Sequence, residues 1–158
     1  MREILFRGKR TSNGEWEYGD LWRHPYGKPD ICIANPINDD GCMGGRTVDP
    51  ETVGQFTGLT DKNGKRIFEG DILKVQTQDF AEEDNPVFGK MKVHTGEKRT
   101  RYWTVEWADH FCGGSGWYFY GKDRRFNRRA SKSTLWNREA EVVGNIHDNP
   151  ELMMEAEA

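Results

Sequence analysis

The sequence predicts a mainly β protein, with an N-terminal hairpin leading into a small barrel in the C-terminal half and little helix. Three observations carry this expectation. Short runs of alternating side-chain character recur through the second half, separated by turn residues. No stretch holds a 3.6-residue apolar period beyond about three turns. Aromatic residues make up 12% of the 158 residues, as six Trp, eight Phe and five Tyr. A few large side chains can therefore fill a compact core although only 35% of the chain is hydrophobic. Four or five short strands that close on one another would also leave no unpaired edge.

Taken in order, Ile4-Leu5-Phe6 and Glu15–Trp22 flank Asn13-Gly14, a dipeptide suited to the positive φ angles of a tight hairpin. Strands are expected near 3–8 and 15–22. Residues 23–30 read as loop, Ile31–Ala34 as a short strand, and 35–46 as loop, being rich in Pro, Asn, Asp and Gly. Between Val48 and Phe56, Asp49-Pro50 suits the start of a helical turn. The glycines that follow favour an extended segment or a single turn. Asp61–Gly64 and Glu69-Gly70-Asp71 read as turns, with Ile67-Phe68 between them and a strand at Ile72–Val75.

Residues 76–100 show no clear period and are expected to form a long excursion or an extended hairpin arm. Arg101–Trp107 is a strand by alternation, with Trp103, Val105 and Trp107 on one side and Tyr102, Thr104 and Glu106 on the other. After a glycine-rich turn over His110–Gly116, Gly116–Tyr120 is its expected partner. Leu135-Trp136 and Glu141–Ile146 read as further strands. Asn149-Pro150 opens a helical turn, with Asn149 at its N-cap. The end of the chain is acidic.

Charge is unevenly spread. The net value is −3, yet Lys122–Arg138 carries seven bases against Asp123, a local +6, and Lys90–Arg101 carries five bases against Glu97, a local +4. The rest is acidic, and the overall pI is about 5.8. Such a field can steer an anionic partner. No apolar run approaches the roughly 20 residues of a membrane helix, and the N-terminus has no apolar signal region, so the expected location is the cytoplasm, with no membrane partner. The three cysteines, Cys32, Cys42 and Cys112, are an odd number and read as reduced thiols.

Three pieces in this order resemble the YopX family: Arg2-Glu3-Ile4-Leu5-Phe6-Arg7, the signature QFTGLTDKNGKRIFEGDIL over residues 55–73, and EVVGNIHDNPEL over 141–152. The resemblance implies a β-rich fold whose C-terminal barrel is SH3-like. It also implies an origin in a bacteriophage, a prophage or a related mobile element. It implies no catalytic residue. The expected organisation is an N-terminal hairpin region over 1–56, the barrel over 57–152 with its 76–100 excursion, and an acidic tail over 153–158.

Asp61–Gly64 suggests a calcium loop, but with Gly64 at the sixth loop position the first ligand would be Leu59 and the twelfth Gly70. Glu69 and Asp71 are two close carboxylates, for which bonds from Asp71 to backbone amides at a strand entry are the better reading, with Gly70 in a conformation closed to other residues. His24, Cys32, Cys42, His94, His110, Cys112 and His147 lack the paired spacing of a zinc site. No nucleophile elbow, phosphate loop or dinucleotide fingerprint occurs. No metal, cofactor or catalytic residue is expected.

Two features remain. Arg124, Arg125, Arg128, Arg129 and Lys132, with Trp136 nearby, could hold phosphates and stack a base. Equally, they could form a solvated loop or pair with acidic surface. Tyr102, Tyr118 and Tyr120 share the face turned away from the barrel, and are either an exposed interface or covered by the N-terminal hairpin. The first functional expectation is a non-catalytic accessory protein acting through protein contacts and self-association as a homo-oligomer. The second is nucleic-acid binding through residues 122–132. A hydrolase with a scattered site is the most distant.

Overall fold

The computed structural model describes residues 3–23, 31–34, 45–110, 114–121 and 127–154. Its first sheet is built from the N-terminal half. β1 (Phe6–Lys9) and β2 (Trp16–Arg23) form the expected hairpin, with Arg7 opposite Tyr18 and Gly14 at φ +73° in the turn. β3 (Ile31–Ala34) and β4 (Gly45–Val48) extend it antiparallel. A single 3-10 turn, Pro50–Thr52, follows, with Asp49 accepting a bond from the Glu51 N–H at 3.0 Å. The chain then returns beside β1 as β5 (Gly54–Thr60), which pairs with β6 (Arg66–Phe68). The sheet order is β4-β3-β2-β1-β5-β6. The front of the family-like signature is thus a working part of the first sheet and not only a connection.

The second sheet comprises β7 (Asp71–Asn85), β8 (Gly89–His110), β9 (Gly114–Tyr120), β10 (Asn127–Arg129) and β11 (Glu141–Asn145), in the order β10-β9-β8-β7-β11. It is antiparallel throughout. Among the described residues, β10 and β11 end this sheet on opposite sides, and no closed barrel is seen.

Two expectations are refined. Residues 76–100 are an extended hairpin arm, because β7 and β8 run on past the core as one ladder. Alternation is weak there because neither face of the arm is packed on the core. Leu135-Trp136 does not resume a strand but lies in α1 (Lys132–Asn137). A two-residue apolar step has no readable period. The helix is started by Ser131, whose Oγ accepts from the Thr134 N–H at 3.2 Å.

One core cluster joins Ile67, Leu73, Val75, Trp103, Val105, Trp117, Phe119, Leu135, Ala140 and Val142. Trp103 stacks on Phe119 with ring centroids 5.9 Å apart, and Trp107 meets Trp117 edge-on at 5.1 Å. Trp103, Trp117 and Phe119 are buried while Trp107 stays half exposed, and burying a large apolar side chain stabilises by about 1.5–3 kcal/mol. The strand β6 serves two cores. Ile67 enters this cluster, while Phe68 turns toward Phe56 and Tyr18 at 5.6 and 5.5 Å. Alternation along three residues therefore binds the two sheets together.

Candidate functional site

The three segments that carry the family resemblance converge on one cleft between the sheets. Its volume is about 510 Å³, and it is lined by Leu5 and Arg7, by Lys65, Arg66, Phe68 and Asp71, and by Val142, Gly144, Asn145 and Asp148, with Trp16 and Tyr18 across from them. At its floor Arg7 donates to Asp71 Oδ1 at 2.7 Å and to the Glu69 carbonyl at 3.1 Å. The guanidinium is held between the rings of Trp16 and Phe68, 4.6 and 5.0 Å from their centroids. Asp71 Oδ2 accepts from the Phe68 N–H at 2.8 Å, and Gly70 has φ +78°, as the strand-entry reading requires. At the rim Asp148 accepts from Trp16 Nε1 and Asn145 Nδ2, each at 2.8 Å, and pairs with Lys9.

The electrostatics follow from these contacts. Burial pushes the Asp71 carboxyl up, and Arg7 and the Phe68 N–H offset this only in part. Burial also raises Glu69, against backbone N–H bonds from Trp107 and Gln55. Burial, then Arg7 and Lys9, lowers His147. For Asp148, burial acts upward, but the bonds from Asn145, Lys9 and Trp16 outweigh it and bring the carboxyl down to about 2.

The buried carboxylates here fasten elements to one another. Both oxygens of Asp71 are committed, and so are those of Asp61, whose Oδ1 accepts from the Asn63 and Lys65 N–H groups and whose Oδ2 accepts from Val142 N–H on β11. Among the described residues, no group of three or more His, Cys, Asp or Glu side chains is placed to hold a metal ion. Nor, among them, is any helix long and apolar enough to cross a membrane.

The feature that presents unpartnered surface is the arm. β11 accompanies β7 only as far as Lys74, and β9 accompanies β8 only from Thr104 onward. From Gln78 and Lys98 outward, two strands stand alone. The tip is built by Asn85, whose Oδ1 accepts from the N–H groups of Val87 and Phe88 at 2.9 and 3.0 Å, and by Gly89 at φ +73°. Val87 and Phe88 are each 77% exposed. Register pairs Ala81 with Val93 and Glu83 with Met91, which puts these four on one face, with Glu82, Asp84 and Lys90 on the other. Met91 and Val93 are 42% and 38% exposed. The face of Ala81, Met91 and Val93 is apolar apart from Glu83, and it is open.

The basic residues expected to contact nucleic acid are only partly gathered. Arg128 and Arg129 lie in β10, an edge strand, and Lys132 opens α1, which also holds Trp136. Arg129 and Lys132 are exposed. Arg124 and Arg125 lie outside the described residues. The tyrosine face is largely closed: Tyr118 and Tyr120 are buried, Tyr118 donates to the Gly114 carbonyl at 2.8 Å, and Tyr102 is half-buried. Arg7, Trp16 and Asp148 were not singled out by sequence, although Arg7 and Asp148 sit inside the family-like segments. The apolar tip was not singled out either; Val87-Phe88 between Asn85-Pro86 and Gly89 is the signal that could have found it.

Comparison with known proteins agrees with this picture. The chain resembles the Enterococcus faecalis protein EF1440, known from a crystal structure, with a TM-score of 0.52 and 24% identity over 97% of this chain and 99% of that one. That likeness concerns the fold. No curated protein matches the chain. The family model described as YopX protein matches residues 5–154, and the chain belongs to the YopX family.

Proposed function

We propose that this is an accessory protein of a bacteriophage or prophage, without catalytic activity, that acts in the cytoplasm through protein contacts and self-association. The observation that carries the reading is the open apolar face and tip of the arm. A two-stranded ribbon is marginal in water by itself, and exposed apolar surface of this kind marks contact sites. The cleft supports the non-catalytic half of the reading, because Arg7 pairs with Asp71, Asp148 with Lys9 and Arg66 with Glu3. We read the C-terminal sheet, packed against α1 and Ile67, as an SH3-like barrel left open between β10 and β11 that serves as the scaffold for the arm. Sedimentation equilibrium over a wide concentration range tests self-association; a monomer at every concentration would count against it.

A second reading, nucleic-acid binding, is supported by Arg128 and Arg129 on the edge strand β10, with Lys132 following at the start of α1. Binding to single- and double-stranded DNA and RNA at two salt concentrations tests it. Phosphate contacts should weaken steeply as salt rises, and no binding at low salt would remove this reading.

A further inference from the structure

We propose that Asn63 is a site of spontaneous modification: in the folded protein it deamidates well ahead of Asn13, and its isoaspartyl product loosens the joint between the first sheet and β11. This modification is independent of any protein contact.

The sequence holds two Asn-Gly pairs, Asn13-Gly14 and Asn63-Gly64. Deamidation is easiest before glycine, which sets no side chain in the way of its own nitrogen. The glycine backbone nitrogen loses its proton and attacks the asparagine side-chain Cγ. The bond from Cγ to the side-chain nitrogen breaks, and ammonia leaves with that proton. Water then opens the five-membered succinimide at one of its two carbonyls. One opening gives an aspartyl residue with the main chain as before. The other gives an isoaspartyl residue, whose main chain runs through the former side chain and is one methylene longer. Water is the one co-reactant.

The fold separates two sites that the sequence makes alike. Both asparagines are exposed turn residues. Both glycines have positive φ, +73° at Gly14 and +80° at Gly64. Both glycine N–H groups bond back into their turns, Gly14 to the Arg10 carbonyl at 2.9 Å and Gly64 to the Asp61 carbonyl at 3.0 Å. Charge separates them little: a carboxylate and a cation lie beside each, Glu15 and Arg10 at one turn, Asp61 and Lys62 at the other. The difference is in the side chain. Asn13 is held at both ends by Glu15, because Nδ2 donates to Glu15 Oε2 at 2.7 Å and Oδ1 accepts from the Glu15 N–H at 3.1 Å. Its amide reaches the Gly14 nitrogen only after both bonds break. The Asn63 side chain makes no hydrogen bond among the described residues. It can turn onto Gly64 without breaking one.

The consequence follows from what the turn holds. Asp61 Oδ1 accepts from the N–H groups of Asn63 and Lys65 at 2.8 and 2.9 Å, and Oδ2 accepts from the Val142 N–H on β11 at 3.0 Å. An extra methylene between residue 63 and Gly64 displaces the Lys65 N–H from Asp61, and so disturbs the carboxylate that anchors β11. The aspartyl product adds no such length.

The test follows the full chain, folded and at mildly alkaline pH, by peptide mapping with mass spectrometry. Each site is referred to its own rate in the urea-unfolded chain. Folding should slow Asn13 at least about fivefold more than Asn63, because its side chain must first be freed from its hydrogen bonds. Equal slowing at the two sites, or greater slowing at Asn63, overturns the assignment. The isoaspartyl form, separated by ion exchange, should show a lower urea midpoint and faster exchange of the Val142 N–H than the unmodified chain. Asn63→Asp should stay close to the unmodified chain in both. An isoaspartyl form as stable and as protected as the unmodified chain overturns the loosened joint.

Discussion

Arg7, on β1 of the first sheet, donates to Asp71 at the head of β7 in the second sheet across 2.7 Å, with side-chain exposures of 8% and 2%. The two sheets are thus joined by a buried ion pair whose cation is also held between two aromatic rings. Removing one partner leaves the other charge buried. Arg7→Ala should cost about 3–5 kcal/mol of unfolding free energy, measured by urea denaturation. Pairing Arg7→Leu with Asp71→Asn should cost clearly less than the sum of the single changes, because neither residue then leaves an uncompensated charge.

Acid should destabilise the protein in two steps. The His147 pKa is lowered in the fold by burial, then by Arg7 and Lys9. The folded state therefore binds fewer protons there than the unfolded chain, and stability is lost as pH falls below about 6.5. Asp148 is brought down to about 2 despite its burial, by Asn145, Lys9 and Trp16. Its contribution is present above the ordinary aspartate value and is lost as pH falls from about 4 toward 2. Tm against pH should show both declines in the wild type. His147→Gln should remove the upper one and Asp148→Asn the lower one. Asp71, raised by burial, has the opposite sign: it favours the fold at low pH and loses that contribution as pH rises.

Gly54 and Gly144 each lie against a close neighbour. A Cβ at Gly54 would lie 2.6 Å from the Glu69 carbonyl oxygen, and one at Gly144 would lie 2.5 Å from Asn149 Oδ1. The first obstacle is backbone and the second a side chain that can turn away. Gly54→Ala should therefore destabilise by about 1–3 kcal/mol, and Gly144→Ala by less. Chemical denaturation of the two variants side by side checks the ranking.

Legibility in the sequence tracks local causes. Asn13-Gly14, Asn63-Gly64 and Gly70 announce positive φ, and the structure has Gly14, Gly64 and Gly70 there. Trp103, Val105 and Phe119 were readable as core because their alternation meets one buried face. The Arg7–Asp71 pair and the convergence of Trp16, Lys9 and Asn145 on Asp148 were not legible, because nothing local records a contact between residues so far apart in the chain. Tyr118 and Tyr120 show the same limit. Alternation assigned them to the face opposite Phe119, but only the assembled chain shows that both faces of β9 are buried. The arm lay between these cases: a hairpin arm over 76–100 was one of two expectations, but its turn at Asn85–Gly89 was not located, and its strands lacked a core face to impose alternation.

The arm also makes a prediction about dynamics. Residues 79–98 form a ladder with no third strand and little buried apolar surface, so their amides should open far more often than those of Ile72–Lys74 and Thr104–Val105, which are flanked on both sides. In dilute protein, hydrogen exchange across 79–98 should approach that of a frayed hairpin while the central strands stay protected. If copies associate through the arm, raising the concentration should slow exchange in 79–98 selectively and leave the central strands unchanged. Slowing spread evenly over the chain would point to association through another surface. Rapid exchange in the arm at every concentration would mean that the ribbon finds no partner in its own kind.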